Sequence, residues 1–218
     1  MKLADLVLSN FSLLYVFPRF GIKLGFGEAT VQQICQQNNI STPLFLLVCN
    51  VYTHSEYLPE KKTLTEIPLD DLTAYLTNSH KDYLEIRIPQ IINELLSITE
   101  NRHRNMFDKF CEKYIADVVE HFNYEEKLVF PYISSLLSGE KSKNYSIEEF
   151  EKNHSDIEES LTDLKNIIIK YLPPDAGAHE SQNILVDLFL LENDLNKHTL
   201  LENKILVSLV ERIEKNIK

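Results

Sequence analysis

Two stretches far apart in the chain carry the same two residue types at the same interval. HFNYE places His121 four residues before Glu125, and HTLLE places His198 four residues before Glu202. On a helix, residues four apart lie on one face and can reach a common centre. An imidazole nitrogen and a carboxylate oxygen on one face can hold a metal ion, relay a proton, or pair as ions. Both pairs stand among apolar residues at helical spacing, where an ionised carboxylate costs several kcal/mol, by roughly the magnitude for buried charges, unless an opposite charge offsets it. Two further histidines, His80 and His154, occupy equivalent inward positions.

A single histidine on an apolar stripe is more often a satisfied core residue than a ligand. Four of them, one per helical pattern, together with two matched His-x-x-x-Glu pairs, are not independent events. The expected metal ligands are therefore His80, His121, Glu125, His154, His198 and Glu202. Six donors exceed one tetrahedral zinc site. They suit a pair of irons with the two glutamates available as bridges, while ligand type alone leaves zinc and manganese open. Glu126 and Asn203 neighbour the ligands, and the helical wheel turns them toward the surface or behind the site. His54, His103 and His179 fall near loops and are expected to be exposed. Tyr83, Tyr114 and Tyr132 are expected to pack in the core with a wet hydroxyl end.

These residues need long helices to hold them. Four apolar patterns of period 3.6 run from about Asp70 to Ser97, from about Asn105 to Leu137, from about Phe150 to the Pro173-Pro174 stop, and onward from about Ser181. In the second, the inward stripe is read as Phe107, Phe110, Tyr114, Val118, His121, Glu125, Leu128 and Tyr132. Pro89 and Pro131 lie inside the first two patterns, where a kink is expected. Short connections make an up-down four-helix bundle the economical all-α architecture over residues 69–218. Residues 1–57 read as a small helical N-terminal domain, with a glycine-containing loop, FGIKLGFGE, a short helix over ATVQQICQQ, and a helix over STPLFLLVCNVY. Ser41 or Thr42 can cap the latter, and Pro43 suits its first turn. Residues 58–68 carry two prolines and read as a linker.

Composition narrows the rest. The 218 residues are 44% hydrophobic and 25% charged, with only 5 glycines and 8 prolines, as a largely helical globular chain requires. A net charge of -11 disfavours nucleic acid and anionic membrane surfaces as partners. The faint helix-turn-helix likeness of TVQQICQQNNIS lacks a basic recognition helix, so DNA binding is not expected. Cys35, Cys49 and Cys111 are sparse and form no CxxC, which points to buried thiols in a reducing, cytoplasmic compartment. Asp5 interrupts the apolar start and no run of about 18 apolar residues follows, so neither a signal peptide nor a membrane-spanning helix is expected.

HKDYLE (80–85), EHFNYEEKLVFPYI (120–133), EKNHSDI (151–157) and NKHTLLENKIL (196–206) resemble a hemerythrin-like domain, and specifically the repair of iron centres family of di-iron proteins. The resemblance covers residues 70 to 216. It implies that the four histidines are terminal ligands of two irons, oxo- or hydroxo-bridged, and that Glu125 and Glu202 bridge them. Open positions would then accept NO or O2. It further implies a part in recovering iron–sulfur clusters damaged by nitrosative or oxidative stress, with the damaged proteins as partners. The alternative is a sensor of O2, NO or redox state that signals through the N-terminal domain. That domain is similar to the family's N-terminal unit through FGI and EATVQQICQQNNIS. It departs from it at LGFG (24–27), where the family commonly carries a Cys-Cys pair, so homodimerisation, docking or simple packing is the expected role.

Overall fold

A computed structural model describes residues 1–54, 57–99, 101–140, 145–153, 157–172 and 177–217. Among them there is no strand, only one isolated antiparallel bridge between Lys2 and Thr30. The fold class is all-α, a bundle of long helices with smaller helices before it.

The N-terminal helices are α1 (Leu3–Ser9), α2 (Leu13–Arg19), α3 (Val31–Gln37) and α4 (Thr42–Thr53), with a single turn, α5 (Lys61–Leu64), in the proline-bearing stretch. Local chemistry explains their limits. Thr30 and Gln33 form a reciprocal capping box that starts α3. The Ser41 hydroxyl accepts from the Leu44 amide, and Pro43 sits in the first turn of α4, where no amide donor is needed. Gly21 ends α2 at φ 72°, which lets the Gly21 and Ile22 amides donate back to Pro18 and Phe17 carbonyls.

The long helices are α6, α7 and α10, each interrupted by one wider, π-helical turn, and the shorter pieces α8 (Ile147–Asn153) and α9 (Glu158–Tyr171). Helix α6 consists of Leu69–Asp82, the π turn Tyr83–Arg87 and Ile88–Ile98. Helix α7 consists of Asn101–Tyr124, the π turn Glu125–Val129 and Phe130–Leu137. Helix α10 consists of Ala178–Leu200, the π turn Leu201–Leu206 and Val207–Asn216. Pro89 and Pro131 stand just after the first two of these turns. A proline removes one amide donor and presses its ring on the carbonyl four residues back. A preceding i→i+5 turn, such as the Ile88 amide donating to the Tyr83 carbonyl, absorbs both effects. The helices thus continue through π turns at the places where the prolines predict kinks.

The π turn of α7 also corrects the predicted stripe. Leu128, expected inside, is 43% exposed, and Val129 is fully buried in its place. One extra residue per turn moves the apolar face along by one position.

The chain forms two compact units. The first comprises Met1–Ser79, Val129–Lys152 and Lys197–Lys218. Within it, Phe20 packs on Phe45 and Tyr75, with ring centroids 5.4 and 4.6 Å apart. The Asn78 amide donates to the Arg19 carbonyl at 2.9 Å, and the buried Arg19 guanidinium donates to the Tyr52 hydroxyl at 2.8 Å. Tyr132 donates to Glu214, which also accepts from the Ile147 amide. Tyr132 is thus buried with its hydroxyl on a carboxylate, and burial followed by that bond pushes its pKa up.

The second unit comprises His80–Leu128 and Asn153–Asn196. Its core draws on all four long patterns: Tyr83, Ile91 and Leu95; Phe107, Val118 and Phe122; Leu161, Leu164 and Ile168; Leu188, Leu191 and Leu195. The members recur at intervals of three and four, which is the face a 3.6-residue period buries. Arg87 forms an ion pair with Asp194, which is 1% exposed.

Candidate metal centre

Two of the expected ligand pairs keep the geometry that their spacing dictates. On α7, His121 Nε2 lies 3.4 Å from Glu125 Oε1. On α10, His198 Nε2 lies 2.8 Å from Glu202 Oε1. Each pair begins in regular α-helix, and its glutamate falls in the π turn. Local widening of a helix is a recurrent device at functional sites, because it re-aims side chains that a regular turn would direct elsewhere.

His80, near the end of the first segment of α6, faces two carboxylates. Its Nε2 lies 3.2 Å from Glu125 Oε2 and its Nδ1 lies 2.9 Å from Glu126 Oε1. The Phe122 ring stacks flat on the imidazole, with centroids 3.9 Å apart and planes 6° apart. Glu126 was expected at the surface or behind the ligands. It is partly exposed, and the π turn brings its carboxylate onto the imidazole. The signal for this in the sequence is Pro131, which marks a helix where a regular wheel fails.

Donor atoms of His80, Glu125, His198 and Glu202, one from each residue, all lie within 4.8 Å of one another, and all four residues are buried. Glu125 and Glu202 have no exposed surface at all. His121 stands on the second oxygen of Glu125 and is 8% exposed. His154 lies outside the described residues. Of the other histidines, His54 and His179 are exposed and His103 is partly buried.

The donor set fits a cation. Two carboxylates close together without exposure to water repel each other and lose their hydration. A cation between them would offset that repulsion. Donors about 2.0–2.2 Å from a shared ion lie within roughly 4.4 Å of one another, so a spread near this value suits one ion or a bridged pair. Carboxylate and imidazole together select borderline metals such as iron, manganese and zinc over calcium or magnesium.

The hemerythrin HHE cation binding domain profile matches residues 71–210. The chain belongs to this family. Hemerythrin domains are helical bundles that bind metal cations, typically iron. The match begins in the first turns of α6, after the N-terminal helices, and spans all six expected ligand positions. No curated protein and no solved structure matches the chain. Among the described residues, no helix is long and apolar enough to cross a membrane.

Proposed function

We propose that this hemerythrin-family chain is a non-haem di-iron protein that helps restore iron–sulfur clusters damaged by nitrosative or oxidative stress. In this reading His80, His121, Glu125, His154, His198 and Glu202 are the residues that would hold the irons. The observation that supports it most is the convergence of His80, Glu125, His198 and Glu202 within 4.8 Å, fully withdrawn from solvent. Bound iron would supply one-electron redox chemistry and open positions for NO or O2.

The chain's own residues do the rest. The two glutamates give the site its anionic charge. Phe122 restrains the His80 ring and covers its face. Tyr83 stacks on Phe122 in turn, so the ring that covers His80 is itself held in the core. The partners in this reading are NO or O2 and damaged iron–sulfur proteins.

The test is metal analysis of protein purified without oxygen from iron-replete cells, followed by addition of NO and by incubation with an inactivated cluster enzyme. About two irons per chain, an NO-dependent optical change and restored cluster activity are expected. A chain that holds iron but restores nothing overturns the repair reading.

One observation favours a second reading, a sensor. Asn78, two residues before His80 in the same helix, binds the Arg19 carbonyl, and Tyr75 packs on Phe20. Asn78 and Tyr75 thus tie the helix that leads into His80 to the N-terminal helices by a hydrogen bond and a ring contact. Ligand-dependent partner binding or oligomeric state, without turnover, would select this reading.

A further inference from the structure

We propose that Glu126 is the positioning residue of the metal centre. Its carboxylate accepts the Nδ1 proton of His80 and so presents Nε2 as the ligating nitrogen. The proposal rests on the metal reading above.

Three observations carry it. The two ring nitrogens of His80 face different carboxylates: Glu126 Oε1 is 2.9 Å from Nδ1, and Glu125 Oε2 is 3.2 Å from Nε2. An ionised carboxylate only accepts, so the nitrogen on Glu126 carries the proton. A cation held at Nε2 would take that nitrogen's lone pair and leave the Nδ1 proton on Glu126. Next, the ring plane is fixed independently by Phe122, stacked at 3.9 Å and 6°. One contact sets the plane and the other sets the rotation within it. The ring then has no freedom to turn Nε2 away.

The third observation is the π turn Glu125–Val129. Consecutive residues of a regular helix point about 100° apart and do not meet one neighbour. The wider turn brings Glu125 and Glu126 onto opposite nitrogens of a single imidazole. Exposure separates their roles. Glu125 is fully buried and belongs to the ligand group, whereas the Glu126 side chain is 39% exposed and stands outside it. Carboxylates placed behind a histidine ligand in this manner fix its tautomer and raise its basicity.

The experiment compares the wild-type chain with Glu126→Ala and Glu126→Gln. In the metal-free protein, NMR of the His80 ring should show an exchange-protected Nδ1–H proton. It should be lost in Glu126→Ala and kept in Glu126→Gln, whose amide oxygen still accepts. Affinity for iron(II), by chelator competition, should fall on the order of 10–100-fold in Glu126→Ala. Glu126→Gln should retain most of the affinity but raise the midpoint potential of the bound iron, since a negative charge that favours the oxidised state is gone. An unprotonated Nδ1 in the wild type, or wild-type affinity and potential in both variants, overturns the proposal. A wild-type chain with the Nδ1–H signal that takes up no iron(II) overturns the metal reading, and the positioning role with it.

Discussion

The sharpest consequence of the buried glutamates is a change of sign. Glu202 has no exposed surface, and its nearest ring nitrogen is His198 Nε2 at 2.8 Å. Without a cation it is a carboxylate held in the core for a ligand. Replacing it with leucine, a side chain of similar volume, should therefore stabilise the metal-free protein. Exchanging a whole buried ion pair for well-packed apolar residues yields about 1–4 kcal/mol in other cores, and removing one of two crowded carboxylates acts in the same direction. Leaving His198 without that carboxylate subtracts about 1 kcal/mol, the usual net worth of a hydrogen bond. The net gain is then up to about 3 kcal/mol, or up to about 12 °C in Tm at about 2–4 °C per kcal/mol for a chain of this size.

The metal-loaded protein should respond the other way. A ligand present at a thousand times its Kd stabilises the fold by about 4 kcal/mol, equivalent to about 8–16 °C. The wild type should gain this on adding iron(II) without oxygen, and Glu202→Leu should gain almost none of it. Melting curves of both proteins with and without iron(II) give the four values needed. The reasoning is refuted if Glu202→Leu melts below the metal-free wild type, or if it keeps the metal-dependent rise.

Other perturbations test the frame around the site. Arg87→Ala removes the guanidinium that pairs with the buried carboxylate of Asp194, so urea denaturation should show a loss of about 3–5 kcal/mol. Val129→Ala should cost about 1–3 kcal/mol, whereas Leu128→Ala should change stability by less than about 0.5 kcal/mol, the reverse of what a regular helix gives. All three cysteines are buried, and burial pushes Cys49 up to about 12 and Cys111 up to about 11. A thiol reagent should therefore leave the native protein unmodified at pH 8 and react with three thiols per chain in denaturant. Because these pKa values are raised in the folded state, the unfolded chain loses the protons first. The associated stability is intact below about pH 8.5 and declines as pH rises toward 11 and 12, which melting curves across that range would show.

The two His–Glu spacings were legible because a helical wheel needs only local spacing. His121 with Glu125, and His198 with Glu202, lie on one face whatever else the chain does. Leu161, Leu164 and Ile168, and Leu188, Leu191 and Leu195, fall at the buried positions of a 3.6-residue period because those segments are regular α-helix. It could not find the Arg87–Asp194 pair, which joins residues 107 apart, nor the bond from Asn78 to Arg19. Contacts of that separation depend on packing, and nothing in a local period encodes them.

The misreading of Leu128 and the aiming of Glu126 behind His80 have a single cause. Both lie in the turn from Glu125 to Val129, where the wheel is drawn at the wrong pitch. Pro131 and Pro89 mark where the pitch changes, yet a proline alone allows a kink, a break or a wider turn. What separates these outcomes is the apolar face beyond it. Tyr132, Ile133 and Leu136 are buried after the turn, just as Val118 and Phe122 are before it. A break would end that face and a kink would swing it off the core, whereas one added residue keeps it inward and frees the proline ring. The same insertion sets Glu125 and Glu126 on the two nitrogens of His80. The strain of accommodating Pro131 and the aiming of two carboxylates are therefore met by one local distortion, so a substitution that regularised the turn should disturb packing and metal affinity together.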